Sequence, residues 1–409
     1  MARSPAVAPS PSPSPAPTAR LHHLDALRGG ALLLGVLLHA LMPFAPDDLW
    51  LVADDIDSMP AILVVAVIHL FRMVLFMMLA GYFGSMVLHR RGAGAYLRDR
   101  LTRIGLPLVA FWPGLFALMV AALVLNGAVR DLGPVAAPQP SAGSPTGLLA
   151  LPTMHLWFLL LLLEIVVVVL ALRAVTIRVL GEERAGRWSA AISSALASPA
   201  GVLLAAVPYA AGLLLQGDGL ASITEPYTLV PVPGASVAYA GAFLTGWFLR
   251  ARPEALPRLE GRWILHLIAA AVLSTAAILV PPGSPGPLVA VVAALAGWTW
   301  VYGLLGLSAR LVRREIPAVR YLADASYWIY LVHFPLLLLV EIPLAELPLP
   351  LLVKLPVALA VVLAVLLLSY DLLVRSTWVG AWLNGHRRPR ALGRRRPARE
   401  PRADAALTP

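Results

Sequence analysis

Ten apolar runs follow one another along this 409-residue chain. They lie at about 24–44, 61–88, 103–126, 154–172, 200–216, 235–250, 262–281, 287–308, 324–343 and 351–373. A helix rises about 1.5 Å per residue, so roughly 20 apolar residues cross the hydrocarbon layer of a bilayer. A helix also satisfies its backbone amides internally where no water can. Composition agrees: 59% of residues are hydrophobic and 13% charged, with mean hydropathy +0.79. The fold expected is all-α, a polytopic membrane protein with ten transmembrane helices. The runs leave no large extramembrane block, so residues 20–375 read as one membrane domain. Residues 1–19 are a Pro/Ser/Ala tail and residues 376–409 a basic tail, both of disordered composition. The fifth run is interrupted by Pro199, Pro208 and Gly212.

The net charge of +10 suggests a nucleic-acid partner until the charges are located. Of the 32 Lys and Arg, 29 fall in the N-terminal segment, the even-numbered loops and the C-terminal tail. The odd loops hold Arg130 and a series of acids that includes Asp54, Glu225 and Glu346. Positive residues collect on the cytoplasmic side of membrane proteins. This alternation therefore predicts ten crossings with both termini cytoplasmic, and no nucleic-acid role. The basic C-terminal run reads as a solvated tail near anionic lipid, or simply as a topology anchor.

The first apolar run carries a polar stripe, RLHHLDALRGGALLLGVLLH. Asp25 and Arg28 are three residues apart and share a helix face. Arg28 and His39 are eleven apart, about three turns, so they also align. Ionisable groups inside a bilayer cost about 2.5–3.5 kcal/mol or more and mark functional sites unless they serve as bundle-stabilising pairs. Asp25 and Arg28 fit either description. In the second run His69 and Arg72 share a face, and Arg72 needs an acceptor: a carboxylate on another helix, Glu164 being one possibility, or a substrate anion. Ala80, Gly81, Gly84 and Ser85 form a small-residue face suited to close helix packing. Arg100 and Arg103 open the third run, where two guanidinium forks suit phosphate but equally mark topology. His155 stands at the start of the fourth run. In the ninth, Ser326, Tyr330 and His333 recur at spacings of four and three, lining a hydrated cavity or forming a packed hydrogen-bond network.

The chain has no Cys, which excludes disulfides, thiolate nucleophiles and iron–sulfur clusters. It lacks a phosphate-binding loop, HExxH and GxSxG. No metal and no permanently bound cofactor is expected.

Several pieces together resemble the acyltransferase family 3 membrane proteins, nearest to their glucan-modifying type. LDALRGGALLLGVLLH places Arg28 and His39 on that family's Arg-x10-His signature, and RLTR places Arg100 and Arg103 on its Arg-x-x-Arg element. FRMVLFMMLAGYF, RLTRIGLPL, HLWFLL and ASYWIYLVHFPL follow in the family's order, although AGYF stands where SGYF is usual. The resemblance implies a multi-pass enzyme of the cell inner (plasma) membrane. It would move an acetyl or succinyl group from cytoplasmic acyl-CoA, the donor co-substrate, to a hydroxyl of a periplasmic or cell-surface glycan. Arg100 and Arg103 would then hold the phosphates of coenzyme A. His39 would act as general base or acyl carrier, and Arg28, positioned by Asp25, would orient it or bind a donor carbonyl or phosphate. His69, Arg72, His155, Tyr330 and His333 would line the substrate site. A transporter of a small solute, or of an acyl-modified envelope precursor, would use the same intramembrane charges. The sequence shows neither an inverted repeat nor paired broken helices in its favour.

Overall fold

A computed structural model describes residues 22–46, 50–130, 145–217, 221–281 and 283–391. The N-terminal tail, the end of the basic tail and residues 131–144 of the loop after the third run lie outside these.

Among the described residues the chain forms fourteen α-helices and no strand. They are α1 (His22–Leu41), α2 (Met59–Arg91), α3 (Ala93–Arg100), α4 (Leu106–Val129), α5 (Trp157–Leu180), α6 (Glu182–Leu196) and α7 (Gly201–Gln216), then α8 (Pro233–Leu249), α9 (Ala255–Glu260), α10 (Trp263–Leu279), α11 (Gly286–Leu311), α12 (Pro317–Ala345), α13 (Leu351–Ser369) and α14 (Trp378–Asn384). All ten apolar runs are helical. Seven helical stretches are long and apolar enough to cross a membrane. The pair α6 and α7 counts as an eighth if its 100° bend lies within one span. The two remaining runs, α8 and α10, are helices of 17 residues each.

The interruption expected in the fifth run is real. The chain turns sharply between α6 and α7, around Pro199, and Pro208 lies inside α7. Proline lacks the N–H a helix needs and clashes with the preceding turn, so the bend falls where the ladder is weakest.

α2 and α11 are the best-buried spans, at 61% of their apolar window, whereas the stretch Ala93–Val129 is 17% buried. The first two are therefore the centre of the bundle, and α4 lies at its periphery. Against that centre α1 packs on α2, α11 and α12; α8 packs on α2 and α7; and α10 lies along α11. Small residues allow the closest approaches. A Cβ on Gly81 would overlap the Phe243 carbonyl of α8, and one on Gly246 the Met78 carbonyl of α2. Close backbone contact replaces the hydrophobic drive that lipid tails remove.

Beyond residue 375 the described chain continues through α14 to Ala391. The chain to Ala391 is tied to the bundle by hydrogen bonds, while Gly385, His386, Arg387 and residues 389–391 remain exposed. Trp382 Nε1 donates to Thr102 O at 2.8 Å, and Asn384 Nδ2 donates to Asp324 O at 2.9 Å. Arg388 Nε lies 3.1 Å from Asp324, and the Ala391 amide donates to Asp371 Oδ1 at 2.8 Å. This strap joins two π-helical turns, Leu101–Gly105 and Tyr370–Val374.

Candidate active site

α1 is unbroken from His22 to Leu41, so Arg28 and His39 stay in register about 16 Å apart along its axis. Both ends of the stripe face α12. At one end Arg28 Nη2 donates to Ala323 O at 3.1 Å and lies 3.8 Å from Asp25 Oδ1. At the other, the His39 ring sits 5.4 Å from that of His333 and meets Phe334 edge-on at 5.0 Å. Trp50, from the loop between α1 and α2, stacks on His39 at 5.6 Å with an interplanar angle of 18°.

His155 completes the cluster from the start of α5. Its ring stacks on Phe334 at 5.3 Å and meets His333 at 5.6 Å. Tyr330 Oη donates to the His155 carbonyl at 2.6 Å. Three imidazoles from three distant segments thus gather around one phenyl ring.

The three are not equivalent. His155 Nε2 bonds to Leu331 O at 2.9 Å. His333 Nδ1 bonds to Ile329 O at 3.1 Å and Tyr330 O at 2.8 Å. A carbonyl only accepts, so each bonded nitrogen carries its proton and fixes the ring. His39 has no such anchor: its Nδ1 is buried with no hydrogen-bond partner among the described residues.

Arg72 reaches the cluster from α2. Its Nη1 lies 2.5 Å from where a Cβ on Gly35 would stand, one helical turn before His39 on α1. A side chain at that position would displace the guanidinium from its present place. Arg72 is 7% exposed, and its Nε has no partner among the described residues. The carboxylate in its electrostatic reach is Glu225, from the loop between α7 and α8. Burial raises the Glu225 carboxyl above its usual range, and Arg72 pulls it back. Glu164 does not fill that place: it accepts from Ser236 Oγ at 2.8 Å. His69 is half-buried, with Arg72 and His39 both in electrostatic reach.

Arg100 and Arg103 stand at the Arg28 end. Tyr327, one turn beyond Ala323 on α12, donates from Oη to the Arg103 carbonyl at 2.8 Å. Asp99 orders both forks, at 2.7 Å from Arg100 Nη2 and 3.1 Å from Arg103 Nε. Arg100 also lies over the Tyr96 ring at 5.3 Å. The Arg103 guanidinium rests against Gly385 of the strap.

Sequence reasoning missed Trp50, Phe334 and Glu225. Trp50 and Glu225 lie in loops without periodicity. Phe334 differs from a packing residue only through what surrounds it.

The fold and the site define a multi-pass helical membrane protein whose first helix turns an arginine and a histidine to one partner helix. The chain belongs to the acyltransferase-3 family, whose acyltransferase domain matches residues 21–374. It is an acyltransferase. Similar proteins include glucans biosynthesis protein C of Salmonella heidelberg (strain SL476) and of Salmonella typhi. Each is 27% identical over 333 residues, covering 78% of this chain and 83% of the relative. No solved structure matches it.

Proposed function

We propose that this acyltransferase carries an acetyl or succinyl group from cytoplasmic acyl-CoA across the inner membrane to a hydroxyl of a periplasmic or cell-surface glycan. Ten crossings with both termini in the cytoplasm put the Arg28 end inside and the His39 end outside. The distribution of 29 basic residues and the helical state of all ten apolar runs support that orientation. The relatives' part in glucan biosynthesis, given by their name, supports a glycan acceptor.

One observation carries the mechanism. Of the three clustered imidazoles, His155 and His333 are each fixed through one ring nitrogen to backbone carbonyls, and among the described residues His39 has no such bond, although a buried unpartnered Nδ1 is shared by His39 and His155. An imidazole is suited to take a proton from a hydroxyl near neutral pH. In direct transfer His39 removes the acceptor's hydroxyl proton as its oxygen attacks the thioester carbonyl. The carbon–sulfur bond breaks, and the thiolate leaves and takes the proton. Alternatively the imidazole attacks first, carries the acyl group, and yields it to the hydroxyl. In both routes Arg100 and Arg103 hold the donor's phosphates at the inner end, and Arg28, set by Asp25, guides the thioester arm along α1. Arg72 and His69 flank the reacting carbonyl. His155, Tyr330 and His333 form the wall that keeps His39 in place. For a succinyl donor, Arg72 is the residue placed to meet the free carboxylate.

The test is His39→Ala. It removes acyl ester from the glycan, by at least about 100-fold in rate, while the protein stays in the membrane and folded. Mass spectrometry of envelope glycans reads the outcome, and retained ester rules out the assignment of His39.

A further inference from the structure

The most isolated polar side chain outside this mechanism is Glu341. It is 5% exposed, near the end of α12 and seven residues beyond Phe334, on the same helix face. Both carboxylate oxygens are buried with no hydrogen-bond partner among the described residues. A buried carboxyl without partners is costly, and such groups call for an explanation. The carboxyl borders a cavity of about 10 Å³, room for one oxygen-sized group, lined also by Ala40, Phe44, Asp54, Lys354 and Leu355.

The neighbours of Glu341 do not neutralise it. Lys354 in the same cavity is taken: its Nζ donates to Asp54 Oδ2 at 2.6 Å and to Ala345 O at 3.3 Å. The indole N–H of Trp50 stands close enough to the carboxyl to act on it as a donor, and no hydrogen bond of good geometry satisfies that nitrogen among the described residues. An acceptor and a donor, both unsatisfied, therefore stand together. The same indole stacks on His39, so the pair lies an indole's width from the candidate catalytic imidazole. Ala40, the residue after His39, also lines the cavity.

We infer that Glu341 and Trp50 form an acceptor subsite that binds a hydroxyl adjacent to the one being acylated. The ligand class is a polyol with vicinal hydroxyls, as in a hexopyranose. The bound hydroxyl donates to the Glu341 carboxylate and accepts from Trp50 Nε1, and its neighbour is thereby presented to His39. This completes the donor and acceptor sets left open in the free protein. It also lets the enzyme select sugars over water, which cannot span both positions. The inference rests on the transferase reading given above and adds the residues that choose its acceptor.

The experiment uses the purified full chain in detergent, with acetyl-CoA and succinyl-CoA as donors. Methyl β-glucoside and its monodeoxy analogues serve as acceptors. Glu341→Gln keeps the shape and removes the charge. It raises the acceptor KM about 10- to 100-fold, the value of a hydrogen bond to a charged group, and leaves the donor KM within about twofold. Wild type discriminates against one deoxy sugar by a similar factor, and Glu341→Gln loses that discrimination. A variant that merely unsettles the fold lowers all rates and keeps the ranking. Unchanged ranking of deoxy sugars in Glu341→Gln, or equal effects on both substrates, overturns the subsite. Saturation-transfer NMR of methyl β-glucoside supplies an arm independent of turnover. Glucoside signal in wild type and its loss in Glu341→Gln support the subsite even if no acyl group is transferred, an outcome that defeats only the transferase reading. Equal signal in both proteins overturns the subsite and leaves that reading standing.

Discussion

Lys354→Met is the perturbation whose size the structure fixes best. Lys354 Nζ and Asp54 Oδ2 are 2.6 Å apart, and their side chains are 4% and 3% exposed. Removing one partner of such a pair costs about 3–5 kcal/mol, because the other charge is left in a poor medium. The buried Asp54 carboxylate is then left with the Ile56 amide as its remaining partner among the described residues. Lys354→Met combined with Asp54→Asn removes both charges and keeps the oxygen that accepts the Ile56 amide at 3.1 Å. It should regain all but about 1 kcal/mol. Unfolding in mixed detergent and dodecyl sulfate micelles, followed by tryptophan fluorescence at pH 7, measures all three proteins. A single-variant loss below about 1 kcal/mol refutes the reasoning, as does a double variant no better than the single.

Three further substitutions test the packing around the site. Gly35→Val places a Cβ 2.5 Å from Arg72 Nη1. The guanidinium must swing away, so turnover falls about 10- to 100-fold with unfolding changed by less than about 1 kcal/mol; rate and stability are read on one preparation. Gly246→Ala drives a methyl into the Met78 carbonyl of α2, and the α2–α8 contact opens at a cost of about 2–3 kcal/mol in the same unfolding assay. Gly385→Ala meets both a left-handed backbone, φ 78°, and the Arg103 guanidinium. The donor KM rises about tenfold, one charge-assisted contact, at saturating acceptor; an unchanged donor KM counts against a donor role for Arg103.

Much of the fold was readable because a bilayer enforces it. Helices of about 20 apolar residues have no competitor there, so all ten runs became helices near their expected limits. The small-residue face of α2 was readable for the same reason: lipid offers helices no hydrophobic gain on association, and close contact must do that work. The strap was not readable. Its residues are basic and rich in turn formers, and it is fixed to Thr102, Asp324 and Asp371 by bonds of long sequence separation. Composition describes a segment's own preference and is silent on a partner 280 residues away.

The site divides along the same line. Residues that share one helix were placed by period alone: Arg28 with His39, and Tyr330 with His333. What period could not supply is which stripe faces which. Both ends of α1 meet α12, through Ala323 and through His333 and Phe334. His155 enters from a third segment at the same depth. The loop residues Trp50 and Glu225 then fill the ends, and no pattern announces a loop residue. Trp50 nevertheless decides the most. Among the described residues it is the aromatic ring that touches His39 on one side and stands beside the Glu341 carboxyl on the other. A tryptophan serving only to cover His39 could be replaced by phenylalanine without consequence for the acceptor. If its N–H completes the hydroxyl subsite, Trp50→Phe keeps the stack on His39 and the rate of acetyl-CoA hydrolysis in the absence of sugar, and weakens glucoside as an acceptor by about tenfold, the worth of one hydrogen bond. The two readings part on that single comparison.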